Sequence, residues 1–179
     1  FLMSASVLCD LLLLVFVTAA AVNDLICRKI PNRLVLAGLL AAFCLHGALA
    51  TPSWPWNSLG GMATGFFLFL PLYLLRGMAA GDVKLIAMVG AFAGPWPTLL
   101  ICFATFVLGG LMALLIVTWQ GSWRACWRNL RQLLWPLMAH TAGLPLAPSP
   151  PASQASVGNM PYGLAIALGS LLVQGRNYF

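Results

Sequence analysis

The sequence predicts an all-α polytopic membrane protein, a bundle of six transmembrane helices with a short buried fourth helix and a cytoplasmic interfacial helix. Three observations predict it. Of 179 residues, 61% are hydrophobic and only 7% charged, where a soluble domain carries about 25% charged residues. The apolar residues fall in repeated runs rather than in one N-terminal segment ending at a small-residue cleavage site, which excludes a signal peptide on a soluble domain. The net charge of +6 comes from nine Lys and Arg clustered at the ends of those runs, which is a topology signal rather than a nucleic-acid surface.

Taken in order, the first span covers about 7–23 and ends at Asn23-Asp24. A basic turn follows, Cys27-Arg28-Lys29-Ile30-Pro31-Asn32-Arg33, in which Pro31 prevents one continuous helix. The second span covers about 34–50, and an uncharged Pro/Trp loop, Thr51 to Asn57, marks the far interface. The third span, about 59–75, carries Gly61-x-x-x-Gly65, a spacing that lets a neighbouring helix approach closely.

The fourth apolar run, about 83–95, is short for a hydrocarbon core of about 30 Å. The charge pattern nevertheless counts it as a crossing. With it, the basic clusters at 28–33, 76–84 and 124–131 share one side and collect eight of the nine cations, with Arg176 opposite. Without it, the bias weakens. Six spans with both termini outside and basic loops in the cytoplasm is therefore the expectation, with the short fourth helix enclosed by its neighbours.

The fifth span covers about 97–119. An interfacial helix, about 121–135, sets Trp123, Trp127 and Trp135 among Arg124, Arg128 and Arg131, an arrangement suited to anionic headgroups. A mobile cytoplasmic loop rich in Pro, Ser and Ala, about 143–158, leads into the last span, about 161–174. The whole of 1–179 reads as a single domain. Its five cysteines show no CxxC pair and mostly sit in apolar runs, which fits core residues better than a disulfide frame or a zinc site.

Chemistry has few places to sit. There is no Glu, and the Asp residues are Asp10, Asp24 and Asp82. Asp10 and Asp24 share a helix 14 residues apart, roughly 21 Å along its axis, so they cannot share a site. Asp24, closing the first helix, and Asp82, opening the fourth, lie at the same depth. Two neighbouring carboxylates can hold one proton between them; the ionised one deprotonates water while the protonated one polarises a carbonyl. The ordinary structural roles are that Asp24 pairs with Arg28 one turn on and Asp82 caps its own helix. Lys84 and Arg76 flank Asp82 and could tune it, hold a substrate carboxylate or reach the headgroups. Gly81 leaves room for an extended substrate strand beside the acid. His46 and His140 have no partner acid or thiol nearby in sequence, so no metal and no cofactor is expected.

At these residues the chain resembles the prepilin peptidases, membrane aspartyl proteases of the GxGD type. The features are Asp24 with Arg28-Lys29-Ile30-Pro31-Asn32, the block Gly77 to Leu85 followed by Gly90-Ala91-Phe92, and Met160-Pro161-Tyr162-Gly163 opening the last span. The resemblance implies cleavage of the short basic leader of type IV pilin-like precursors at the cytoplasmic face of the bacterial inner membrane, with Asp24 and Asp82 catalytic. It implies roles in substrate binding or turn geometry for Ala79, Ala80, Gly81, Lys84, Pro161, Tyr162 and Gly163. The family's GxGD falls on Ala79-Ala80-Gly81-Asp82, with alanine for the first glycine, a change expected to narrow the turn and slow the enzyme without abolishing activity. Only a few residues separate the first two spans, so the resemblance is to the short form found with tight-adherence (Flp-type) pili, with peptidase activity alone. Two other classes fit the same residues: a small transporter or proton channel, and a non-catalytic subunit of a secretion or pilus assembly machine.

Overall fold

A computed structural model of the protein describes residues 2–49, 53–75, 77–121, 127 and 162–176. They form six helices: α1 (Leu2–Cys27), α2 (Asn32–Ala48), α3 (Trp54–Leu74), α4 (Ala80–Ala93), α5 (Pro95–Gln120) and α6 (Tyr162–Gly175). Among the described residues there are no strands. Stretches within α1, α3 and α5 are long and apolar enough to cross a membrane, and α2 and α6 are shorter apolar helices. The protein is an all-α polytopic membrane protein. The expected interfacial helix and the loop 143–158 lie outside the described residues, apart from Gly121 and Trp127.

The ends of the helices depart from the sequence expectation, each for a local reason. The first helix runs one turn past Asn23-Asp24 to Cys27, so Asp24 sits within its last turn. Arg28 then takes a left-handed conformation, φ 53°, a common way to end a helix, and Pro31 enters α2 from an extended conformation. Trp54 to Asn57 belong to the first turn of α3 rather than to a loop, with Pro55 in that turn, where a missing N–H costs nothing. In the same way α5 opens at Pro95 instead of 97. The fourth helix starts at Ala80, three residues earlier than its apolar run, which brings Asp82 into its first turn.

The short helix α4 is the axis of the bundle and packs against all five others. Its 14 residues reach about 21 Å at about 1.5 Å per residue. Val83 and every residue from Leu85 to Phe92 are buried, as expected of a helix apolar on all sides. Its tightest neighbour is α3. A Cβ built on Gly61 would collide with the Gly90 carbonyl, one on Gly90 with the Gly61 carbonyl, and one on Gly65 would stand 2.6 Å from the Ile86 carbonyl oxygen. The Gly61/Gly65 spacing is therefore a true backbone contact. In contrast, α2 and α3 each pack chiefly on α4 and only lightly on each other. A furrow is left between them.

One residue joins α4 to α5. Gly94, at φ 82° and ψ 174°, reverses the chain in a region that side chains disfavour. The last helix, α6, closes the bundle against α1 and α5.

Candidate active site

Three segments far apart in sequence meet at one end of the bundle: the last turn of α1, the first turn of α4 and the first turn of α6. Asp24 is 8% exposed and Asp82 4%. Carboxylates so enclosed need partners, and each has one from the backbone. The N–H of Gly163 donates to Asp24 Oδ2 at 2.9 Å, bridging 139 residues of sequence. The N–H of Ala79 donates to Asp82 Oδ2 at 3.3 Å, so Asp82 does cap its own helix, as its ordinary structural role requires.

Capping does not exhaust Asp82. It sits at the rim of the bundle, just before the apolar run of α4. Burial, and next the Asp24 charge nearby, push its carboxyl from 3.8 up to about 7, against a smaller lowering by the Ala79 hydrogen bond. The two acids thus lie within electrostatic reach of each other, and one of them holds a proton into the neutral range. Asp10, further up α1, is only partly buried and does not act on Asp82.

The residues around the pair have distinct positions. Tyr162 is partly buried within reach of the Asp82 charge, and its ring lies against Gly109 of α5. Gly163 is closely packed on the acid: an added Cβ would stand 2.9 Å from Asp24 Oδ2 and 3.0 Å from Asp24 Cβ, so the Asp24 side chain would have to shift to admit it. Gly81 lies within the helical first turn without a positive φ, so its role is not an unusual dihedral. Its open side faces Ile30, whose Cβ would be 3.3 Å from an added Cβ. Ala79, at φ −80° and ψ 151°, is extended and exposed, a conformation any residue adopts. The alanine in the first position of the motif therefore imposes no backbone strain. Ala80 is exposed beside it. Pro161 lies outside the described residues, as do Arg124, Arg128 and Arg131.

Lys84 points elsewhere. Two residues after Asp82, it falls on another face of α4 and donates from Nζ to Asn32 Oδ1 at 3.0 Å. The first motif therefore touches the second twice, through Ile30 on Gly81 and Asn32 on Lys84. Sequence reasoning assigned neither Ile30 nor Asn32 a role. It also missed that the third motif meets Asp24 through a backbone amide, which no side-chain type announces; the only signal was the ordered recurrence of the three motifs.

Among the described residues no three His, Cys, Asp or Glu side chains gather as a metal site would require. The described cysteines are free, with Cys9 and Cys102 buried, and Cys27 and Cys44 exposed.

Comparison with curated proteins and with solved structures gives no match. A family model, described as the type IV leader peptidase family, matches residues 11–114, a stretch that takes in both acids and stops short of α6. With that match over more than half of its length, the chain belongs to the type IV leader peptidase family and is an aspartic-type protease of prepilins.

Proposed function

We propose that this protein cleaves the short basic leader from Flp-type prepilins at the cytoplasmic face of the inner membrane, using Asp24 and Asp82 as a metal-independent pair. The observation that carries the reading is the juxtaposition of two buried carboxylates whose charges interact in a chain with almost no other acids. Each carboxylate accepts one backbone hydrogen bond, Asp24 from Gly163 and Asp82 from Ala79, so it is the raised proton affinity of Asp82 that separates their roles. Asp24 therefore serves as the base that takes a proton from water. Asp82, which holds its proton near neutrality, donates to the carbonyl oxygen of the scissile bond. As the tetrahedral intermediate collapses, the proton taken by Asp24 passes to the leaving amine and Asp82 recovers a proton from a hydroxyl of the gem-diol, which returns the pair to its starting state.

Six crossings with the basic clusters in the cytoplasm put the acid-bearing ends of α1 and α4 on the side where a basic leader would remain after its helix enters the membrane. Ala79, Ala80 and Tyr162 border the pair and would receive the leader.

Asn keeps the shape of Asp but does not titrate. In membranes supplied with a leader-bearing precursor, Asp24→Asn and Asp82→Asn should each abolish cleavage while Asp10→Asn retains most of it. Chelators should leave the rate unchanged, and the double variant should be no worse than either single one, because residues acting as a unit are not additive. Cleavage by a folded Asp24→Asn or Asp82→Asn protein would transfer the reading to a transporter or an assembly subunit.

A further inference from the structure

The furrow between α2 and α3 joins an apolar trough to a polar end. It has a volume of about 610 Å³, within the range of about 300–1,000 Å³ typical of small-molecule sites. Its walls are aliphatic and aromatic: Val35, Leu36 and Leu39 from α2, and Met62, Phe66 and Phe67 from α3. Ala87 of α4 forms the floor, and among the described residues Lys84 and Asn32 are its polar lining. Both polar residues lie at one end, Asn32 opening α2 and Lys84 in the first turns of α4. From Asn32 to Leu39 the furrow follows α2 for seven residues, about 10 Å, away from that polar end.

The polar end is cationic. Among the described residues Lys84 donates to Asn32, and an ammonium has three donors, so two remain for another acceptor. Exposed Lys29 and Arg33 stand on the same end of the bundle, beside Asn32 in sequence. An apolar trough ending in a lysine of unspent hydrogen-bonding capacity, on the outer face of a membrane bundle, complements one kind of molecule. It is a lipid with an anionic head.

We propose that this furrow is a specific site for an anionic phospholipid, with its phosphate on Lys84 and an acyl chain lying between Leu36 and Phe67. The furrow is separate from the acid pair, because Lys84 and Asp82 sit on different faces of α4, and the proposal does not rest on the proteolytic mechanism. Its occupancy would tie the first turn of α4 to the headgroup plane, fixing the depth at which Asp82 stands.

The test is native mass spectrometry of the full chain in detergent, after incubation with phosphatidylglycerol or with phosphatidylcholine of the same acyl chains. The wild type should retain one lipid equivalent of phosphatidylglycerol about tenfold more tightly than of phosphatidylcholine, a difference of about 1.4 kcal/mol. Lys84→Gln should bring the two lipids to parity at that site. Ala63 also lines the trough from α3, and Ala63→Phe, which fills it, should remove the equivalent altogether; Leu36→Trp, on the exposed lip, gives the same reading if Ala63→Phe does not fold. Parity in the wild type, or a preference that survives Lys84→Gln and the filled trough, would overturn the site. Displacement of the lipid by glycerol phosphate alone would reduce it to a phosphate contact. Displacement by an apolar helical peptide in preference to phosphatidylglycerol would assign the furrow to a protein helix instead.

Discussion

The acid pair is held by two backbone amides, and that sets what single substitutions should do. A methyl on Gly163 would press on Asp24 Oδ2 and Cβ at once. Gly163→Ala should keep the fold and cut turnover by about 10²-fold, the usual penalty for displacing a catalytic group by about 1 Å, with the loss read in kcat rather than KM. Ala79→Gly should change turnover little, because Ala79 is exposed and in an ordinary extended conformation. The expected slowing by that alanine has no support in the geometry. The pH profile follows from Asp82. With Asp82 as the proposed proton donor, cleavage should decline as pH rises through about 7, where that proton is lost. Stability moves the same way. Because the folded value lies above the ordinary 3.8, the folded state binds the proton more tightly, so this contribution is complete below about pH 4 and is lost as pH climbs through about 7. Melting temperatures in detergent across that range, compared with those of Asp82→Asn, check it.

The pairing of Asp24 with Asp82 was legible in the sequence because acids are so scarce that depth alone selected them. Gly163 was legible only as part of a motif, since a hydrogen bond from a main-chain N–H leaves no trace in residue type. At the level of the element, Gly61, Gly65 and Gly90 were each visible, and the periodicity of Gly61/Gly65 announced a close helix contact. The partner could not be read, because spacing within one helix says nothing about which helix faces it. In the structure, backbone meets backbone where α3 crosses α4, and neither side has a flexible atom that could yield. Gly90→Ala and Gly61→Ala should each destabilise the protein by about 1–3 kcal/mol, the common cost of overpacking. Gly110→Ala, with nothing within 4 Å of an added Cβ, should be neutral or slightly stabilising. Thermal melts of the three variants side by side measure the contrast.

For the whole molecule, the number of apolar runs could be read from the sequence more securely than their ends. Proline misled at Pro55 and Pro95, where it begins a helix instead of preceding one. The six-crossing topology has a direct check: reporter fusions after Asn57 and Pro97 should score as periplasmic, and those at Arg33, Gly81 and Ser149 as cytoplasmic. A periplasmic score at Ser149 would remove one crossing and separate the arginines at 124–131 from the acid-bearing end.

The single glycine between α4 and α5 has a consequence for how the protein is made. At 14 residues, α4 falls below the roughly 17–25 that a segment needs to cross a bilayer, and it carries a buried carboxylate in its first turn. Such a segment has no reason to leave the insertion machinery for lipid on its own. The 26-residue α5 can, and Gly94 folds the two together with no intervening loop. Chains truncated at Ala93 should therefore leave α4 open to added protease on the cytoplasmic side, and chains extended through Gln120 should commit the pair to the membrane in one event and protect it. The segment bearing Asp82 would thus enter the bilayer as the passenger of its successor.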